Sequence, residues 1–302
     1  MELKSTVNES FLDLFYKEIE CDVPDTYSKL NLHILKIENN QFCYSELVNE
    51  LSNHFISFSL SRKDIADFKK NEKYGEMYRK AASKFRDYDV NDGEAGELLL
   101  FCFLESHLKA PKILTKLEIK LSSKDYAKGS DGVHLLKVAE NDYQLIFGES
   151  KLYQNLTTSI SKAFESIHDF TTRSKSNIYD EIGLLSSQLC KETFDEDLYQ
   201  FLKSVITPKA NAEKPITKNN AFAIFAGFEI NPTNEEKKLS NSDFLKTIKE
   251  QIKTEVEGKM EHIKKKIEEY NLHGYTFYVY VFPFMKLNEA RKEIIEKITL
   301  AK

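Results

Sequence analysis

Residues 129 to 151, GSDGVHLLKVAENDYQLIFGESK, constrain the fold more than any other stretch of this chain. Two apolar runs, HLLKVA and YQLIFGESK, flank Asn141-Asp142, a dipeptide that favours a tight turn. The runs are therefore expected to pair as neighbouring strands of a hairpin. Pairing sets the start of the first run beside the end of the second. Asp131 stands at that start, between the small residues Ser130 and Gly132, and Glu149-Ser150-Lys151 stands at that end. Glu149 and Lys151 are two residues apart, so on a strand their side chains share a face.

This convergence has chemical consequences. Carboxylates at the end of a strand buried by Leu145, Ile146 and Phe147 are costly unless something neutralises them. A hard divalent cation with oxygen ligands does so. Asp131 and Glu149 are the expected ligands. Lys151 is placed to orient or deprotonate an attacking water and to offset phosphate charge. The bland alternative is an exposed ion pair beside an Asp in a turn. Glu-x-Lys recurs at Glu118/Lys120 and Glu257/Lys259, for example, but only Glu149/Lys151 follows an apolar strand with a Gly-flanked Asp one strand earlier.

A further acidic pair precedes the hairpin. In GEAGELLLFCFLESHL, Glu94 and Glu97 share a helix face that Phe101, Leu104 and Leu108 continue. One account is a helix N-terminus, where the dipole favours acidic side chains. The other is that one Glu reaches the metal. Glu97 is preferred because it lies deeper in the helix, with Glu94 as the alternative.

The remaining segments outline the fold class. FLDLFYKEIE reads as a helix, KLNLHILKI as a strand and SELVNELSNHF as a helix. DYDVNDGEAG marks a break, with Asp92 a candidate cap. KILTKLEIKLSS reads as a strand followed by a Lys-Gly loop, and residues 156–175 carry a helical apolar stripe. Two helical pieces fill 176–206, and PKANAEKPITKNN is a polar loop. NAFAIFAGFEI and GYTFYVYVFPF read as buried strands. Between them lies one long amphipathic helix over 241–270, with Ser240 and Asp243 resembling its capping box. LNEARKEIIEKI closes the chain as a helix. The expected class is α/β, a mixed central sheet flanked by helices. Residues 1–90 form an N-terminal subregion, mostly helical, that extends a core of 91–302 with helical insertions.

Several function classes are excluded or weakened. The net charge of −5 argues against whole-chain attraction to nucleic acid, so such binding needs a local basic surface. Residues 62–86 supply one, with Lys69, Lys70, Lys73, Arg79, Lys80, Lys84 and Arg86. That surface is either a solvated helical face or a DNA-backbone contact. The lysines of the 241–270 helix form either a solvated outer face or a partner or DNA contact. Four separated cysteines show no zinc or CxxC spacing and suit a reducing compartment. His134 falls on the face opposite the site, and His107 and His168 have no zinc spacing. There is no P-loop, signal peptide or apolar run near the ~20 residues that span a bilayer. A cytoplasmic location is expected.

Helix with Glu97, strand, Asp131 strand, Glu149-x-Lys151 strand and helix resembles the core of the PD-(D/E)XK nuclease superfamily. Ser130 stands where the motif's name has proline. Gln154 stands too early to serve as the helix glutamine of RecB-like members. GEAGELLL, KGSDGVHLL and FGESKLY resemble the HamA family, nuclease subunits of the Hachiman anti-phage system. That resemblance implies a deoxyribonuclease dependent on Mg²⁺ or Mn²⁺, with the Ser150 carbonyl as a further ligand beside Asp131 and Glu149, and a helicase partner, HamB, that restrains it until aberrant DNA is engaged. The alternatives are a catalytically silent nuclease-fold subunit that binds DNA or the helicase, and an RNA-directed nuclease.

Overall fold

The structure is a computed structural model describing residues 3–86, 93–120, 129–172, 178–208 and 216–300. In chain order the elements are β1 (Phe15–Asp22), β2 (Lys29–Leu35), β3 (Ile37–Glu38), β4 (Gln41–Phe42), α1 (Tyr44–Ser59), α2 (Arg62–Lys70) and α3 (Tyr74–Ala82). Then come α4 (Glu94–Ser106), β5 (Lys112–Thr115), α5 (Lys116–Ile119), β6 (Gly132–Ala139), β7 (Asp142–Leu152) and α6 (Leu156–Thr172). The last are α7 (Ile178–Gln188), α8 (Glu196–Ile206), β8 (Thr217–Ile230), α9 (Asn241–Glu257), α10 (Met260–Glu269), β9 (Thr276–Met285) and α11 (Leu287–Thr299).

Among the described residues one seven-stranded sheet runs β1-β2-β9-β8-β7-β6-β5. The pairs β2·β9, β9·β8 and β8·β7 are parallel, and the pairs β1·β2, β7·β6 and β6·β5 are antiparallel. The sheet is mixed and flanked by helices, as the sequence leads one to expect, and compatible with a nuclease-like α/β core. β1 and β2 extend this same sheet.

Pleat parity places the helices. Phe103 of α4 stacks against Phe225 of β8 and Tyr280 of β9, while Phe164 of α6 packs on Phe277 of β9 and Phe170 of α6 on Phe147 and Phe222. Phe222 and Phe225 differ by an odd number, as do Phe277 and Tyr280, so α4 and α6 cover opposite faces. Both faces of the central strands are buried, and β8 and β9 accordingly read as nearly continuous apolar runs. No helix of the described residues is long and apolar enough to cross a membrane.

Several elements differ from expectation. FLDLFYKEIE is a 3₁₀ turn over Glu9–Leu14 and then strand β1. Phe15 and Ile19, four apart and both buried, share a face in a helix and in a strand alike, so the pattern could not separate the two. Antiparallel pairing with β2 decides it. KILTKLEIKLSS keeps only four strand residues. The Thr115 hydroxyl accepts a hydrogen bond from the Glu118 amide at 3.2 Å and caps α5 in place of further strand. The 241–270 helix is broken between Glu257 and Met260, at Gly258, where helix propensity is low. Val256, Ile263 and Ile267 remain buried across the break. Asp92, the Leu121–Ser123 end of KILTKLEIKLSS, most of the Lys-Gly loop and residues 209–215 of the polar loop lie outside the described residues.

Candidate active site

The hairpin forms in the expected register. Gly132 pairs with Gly148, Leu135 with Leu145 and Ala139 with Asp142, and Asn141 takes a left-handed φ of 62° in the turn. The Asp131 amide donates to the Gly148 carbonyl at 2.9 Å, so Asp131 is fixed beside the Glu149-Ser150-Lys151 end of β7. Its Oδ2 accepts the Ser150 amide at 2.8 Å. Its Oδ1 faces the Lys116 ammonium at 3.4 Å.

Glu149 and Lys151 share a face and pair at 2.6 Å. They point to the α6 side, where Ser166 donates a hydrogen bond to Glu149. Gly148 and Ser150 point to the α4 side. A Cβ on Gly148 would stand 3.1 Å from Leu100, and one on Gly96 would overlap the Ser150 hydroxyl. Gly96 thus lets α4 lie directly on the end of β7, which sets the depth at which Glu97 enters. The Ser150 hydroxyl has no hydrogen-bond partner among the described residues.

The acidic pair of α4 divides its roles. Glu94 is tied down: its Oε1 accepts Lys120 at 2.5 Å and its Oε2 accepts the Arg86 amide at 2.9 Å. Glu97 lies within reach of the Asp131 charge. Its Oε2 is sealed from solvent without a hydrogen-bond partner among the described residues. Burial pushes the Glu97 carboxyl up to about 8, and the charge of Asp131 adds to this against the opposing pull of Lys116. Burial likewise pushes Glu149 up to about 7, with Asp131 adding and Lys151 and Ser166 opposing. Burial works against the Lys151 ammonium, but the charge and hydrogen bond of Glu149, with Asp131, outweigh it and hold Lys151 above the ordinary lysine range.

The Asp131 charge is therefore felt by Glu97 of α4 and by Glu149, which faces α6. Among the described residues no three His, Cys, Asp or Glu side chains already stand as a set that could hold a metal ion. The donors are nonetheless of the type a hard divalent cation takes: all oxygen, mutually repelling, one with a sealed and unpartnered atom. A cation that gathered them would relieve the repulsion and the burial cost together.

Four contributors escape the linear pattern. Lys116 follows an edge strand, Lys120 lies in what reads as strand, Ser166 sits inside the α6 stripe, and Glu181 comes from α7. The Ser130 hydroxyl donates to Glu181 at 2.8 Å, and burial raises the Glu181 carboxyl while Ser130 partly offsets this. No local signal marks these residues, because only the sheet order and the packing of α6 and α7 bring them to the site. Other placements follow expectation. His134 is buried on the far side with its Nδ1 2.8 Å from the Ala110 carbonyl, and Gln154 precedes α6. His107 meets Tyr280, and His168 stacks on Tyr270.

The basic piece is not uniform. Lys69, Lys70, Lys73, Arg79 and Lys80 are exposed on α2, α3 and the turn between them, although Lys73 pairs with Glu76 and Lys80 with Asp64. Lys84 is not on that surface. It is buried, donating to the carbonyls of Leu117 and Glu118, so it fastens α5 instead of facing solvent.

The family profile described as HamA matches residues 9–298, nearly the whole chain. This chain belongs to the HamA family. Membership associates it with the Hachiman anti-phage defence system. The match spans β1 and β2 as well as the hairpin, so the HamA assignment covers the entire sheet. No curated protein matches the chain.

Proposed function

We propose that this HamA-family chain is a metal-dependent nuclease that hydrolyses DNA phosphodiester bonds as the effector of its defence system, acting with the helicase HamB. The observation that carries the reading is the meeting of Asp131 with Glu149-Ser150-Lys151 at one end of the β6–β7 hairpin, with Glu97 of α4 within reach of the Asp131 charge and its Oε2 sealed and without a partner among the described residues. Asp131 and Glu149 would hold Mg²⁺ or Mn²⁺ with the Ser150 carbonyl, and Glu97 would complete the site or serve a second ion. When bound, such an ion lowers the pKa of water and neutralises phosphate charge.

The chain's own residues supply the rest. Lys151, held protonated by its acidic neighbours, donates hydrogen bonds that orient water or a phosphate oxygen and offsets charge developing on the phosphate. That protonation argues against Lys151 as the base in this arrangement. Ser166 steadies Glu149, and the Ser150 amide fixes Asp131. Ser130, held by Glu181, fixes the backbone that precedes Asp131. The exposed lysines and arginine of α2 and α3 are the proposed DNA-backbone contact.

The test is incubation of the full chain with supercoiled plasmid, linear DNA and RNA, with Mg²⁺, Mn²⁺ or EDTA, beside Lys151→Ala and Glu149→Ala, with and without the helicase. Metal-dependent cutting by the wild type alone is expected. Cutting by Lys151→Ala at the wild-type rate would sink the site. Silence in every arm would instead favour a DNA- or helicase-binding subunit, and cutting of RNA alone would change the substrate.

A further inference from the structure

Lys116 stands where the sheet edge meets the site. The backbones of β5 and β6 pair Thr115 with Gly132, and the Lys116 amide donates to the Asp131 carbonyl at 3.0 Å. Lys116 is therefore locked beside Asp131 at the level of the main chain. The Thr115 cap turns the chain into α5 at that point and directs the Lys116 side chain over the site and not along the strand. Its ammonium lies 3.4 Å from Asp131 Oδ1, with side-chain exposures of 18% and 10%. Its charge also reaches Glu97 and Glu181.

The two oxygens of Asp131 are not equivalent. Oδ2 accepts the Ser150 amide, so Oδ1 is the oxygen less committed to the backbone, and Oδ1 is the one Lys116 faces. Lys151 cannot take this place, because it is paired with Glu149 on the α6 side. We infer that Lys116 is the internal counter-ion of this carboxylate group, a positioning residue that competes with a divalent ion for Asp131 Oδ1 and must yield it when the ion binds. The inference rests on the nuclease reading above.

Competition of this kind has a direction that a purely structural lysine would not produce. Removing the ammonium takes away a rival cation and should make the protein bind metal more tightly. The measurement is Mn²⁺ binding to the full-length chain, by electron paramagnetic resonance of free Mn²⁺, for the wild type, Lys116→Met, Lys116→Gln and Lys116→Arg. An ammonium beside a carboxylate commonly shifts its cation affinity by a factor of ten or more, so the neutral variants are expected to bind Mn²⁺ roughly 10-fold tighter. Lys116→Arg keeps the charge and should bind like the wild type.

Equal or weaker binding by both neutral variants, with wild-type Mn²⁺ binding intact, would overturn the inference and leave the nuclease reading standing. Failure of all four proteins to bind Mn²⁺ would overturn both. Two neutral variants of different shape guard against a folding defect, since a misfolded protein would lose affinity and not gain it.

Discussion

Glu97→Gln should make the metal-free protein more stable. The Glu97 carboxyl has its Oε2 sealed and unpartnered, and burial raises it from 4.5 to about 8. At pH 7.5 the unfolded chain ionises this group freely, whereas the native state must either hold a proton or bear a desolvated charge. The gap between 4.5 and 7.5 is three units, which at about 1.4 kcal/mol per unit sets a ceiling of about 4 kcal/mol. Side-chain relaxation and partial exposure reduce this, so about 2 kcal/mol is the working expectation. For 302 residues that corresponds to a rise in Tm of roughly 3 °C. The sign is fixed by linkage. The folded pKa is raised, so the native state is favoured at pH below 4.5 and loses that advantage as pH rises through about 8. The gain from Gln should therefore be near zero at pH 4.5 and largest above pH 8. The assay is thermal unfolding in EDTA at pH 5, 7.5 and 8.5 for both proteins. No gain at pH 8.5, or a gain that does not change with pH, would refute the reasoning. In Mn²⁺ the order should reverse, because the wild type gains a ligand interaction that Gln cannot match.

Three other perturbations follow from the same geometry. Gly96→Ala should destabilise by about 1–3 kcal/mol despite its better helix propensity, because the new Cβ overlaps the Ser150 hydroxyl and meets Leu152 at 3.2 Å; a urea midpoint equal to or above the wild type would contradict the close approach of α4 to β7. Burial lowers His134 to about 4, so the stability it contributes is present above 6.5 and is lost as pH falls toward 4; His134→Gln should lose up to roughly 3 kcal/mol less than the wild type between pH 7 and pH 4.5, read from urea unfolding at each pH. Charge reversal at Lys69, Lys70 and Arg79 should weaken DNA binding and reduce the slope of log affinity against log salt by about 3, and an unchanged slope would remove α2 and α3 from the DNA path.

What was legible in the sequence was legible for local reasons. A period-two pattern, a turn that tolerates a left-handed Asn141 and an acidic end placed Asp131, Glu149 and Lys151 together before any coordinates. The doubly buried runs of β8 and β9 marked central strands, since only a sheet covered on both faces tolerates such continuity. The sequence also signalled that Glu94 and Glu97 head an apolar face, but it could not divide their roles. That division depends on Lys120 and the Arg86 amide, which bind Glu94 and leave Glu97 for Asp131. β1 was beyond the pattern because spacing of four serves helix and strand equally, and pairing with β2 is a long-range event. Lys84 looked like one more surface cation until α5 buried it. The sequence alone determined that the proposed catalytic residues Asp131, Glu149 and Lys151 meet at one end of the hairpin, because residue type and strand periodicity are local properties. Only the tertiary structure decided which groups surround them: Lys116, Ser166 and Glu181 reach the site through sheet order and helix packing, and electrostatic work depends on distance in space, not separation along the chain.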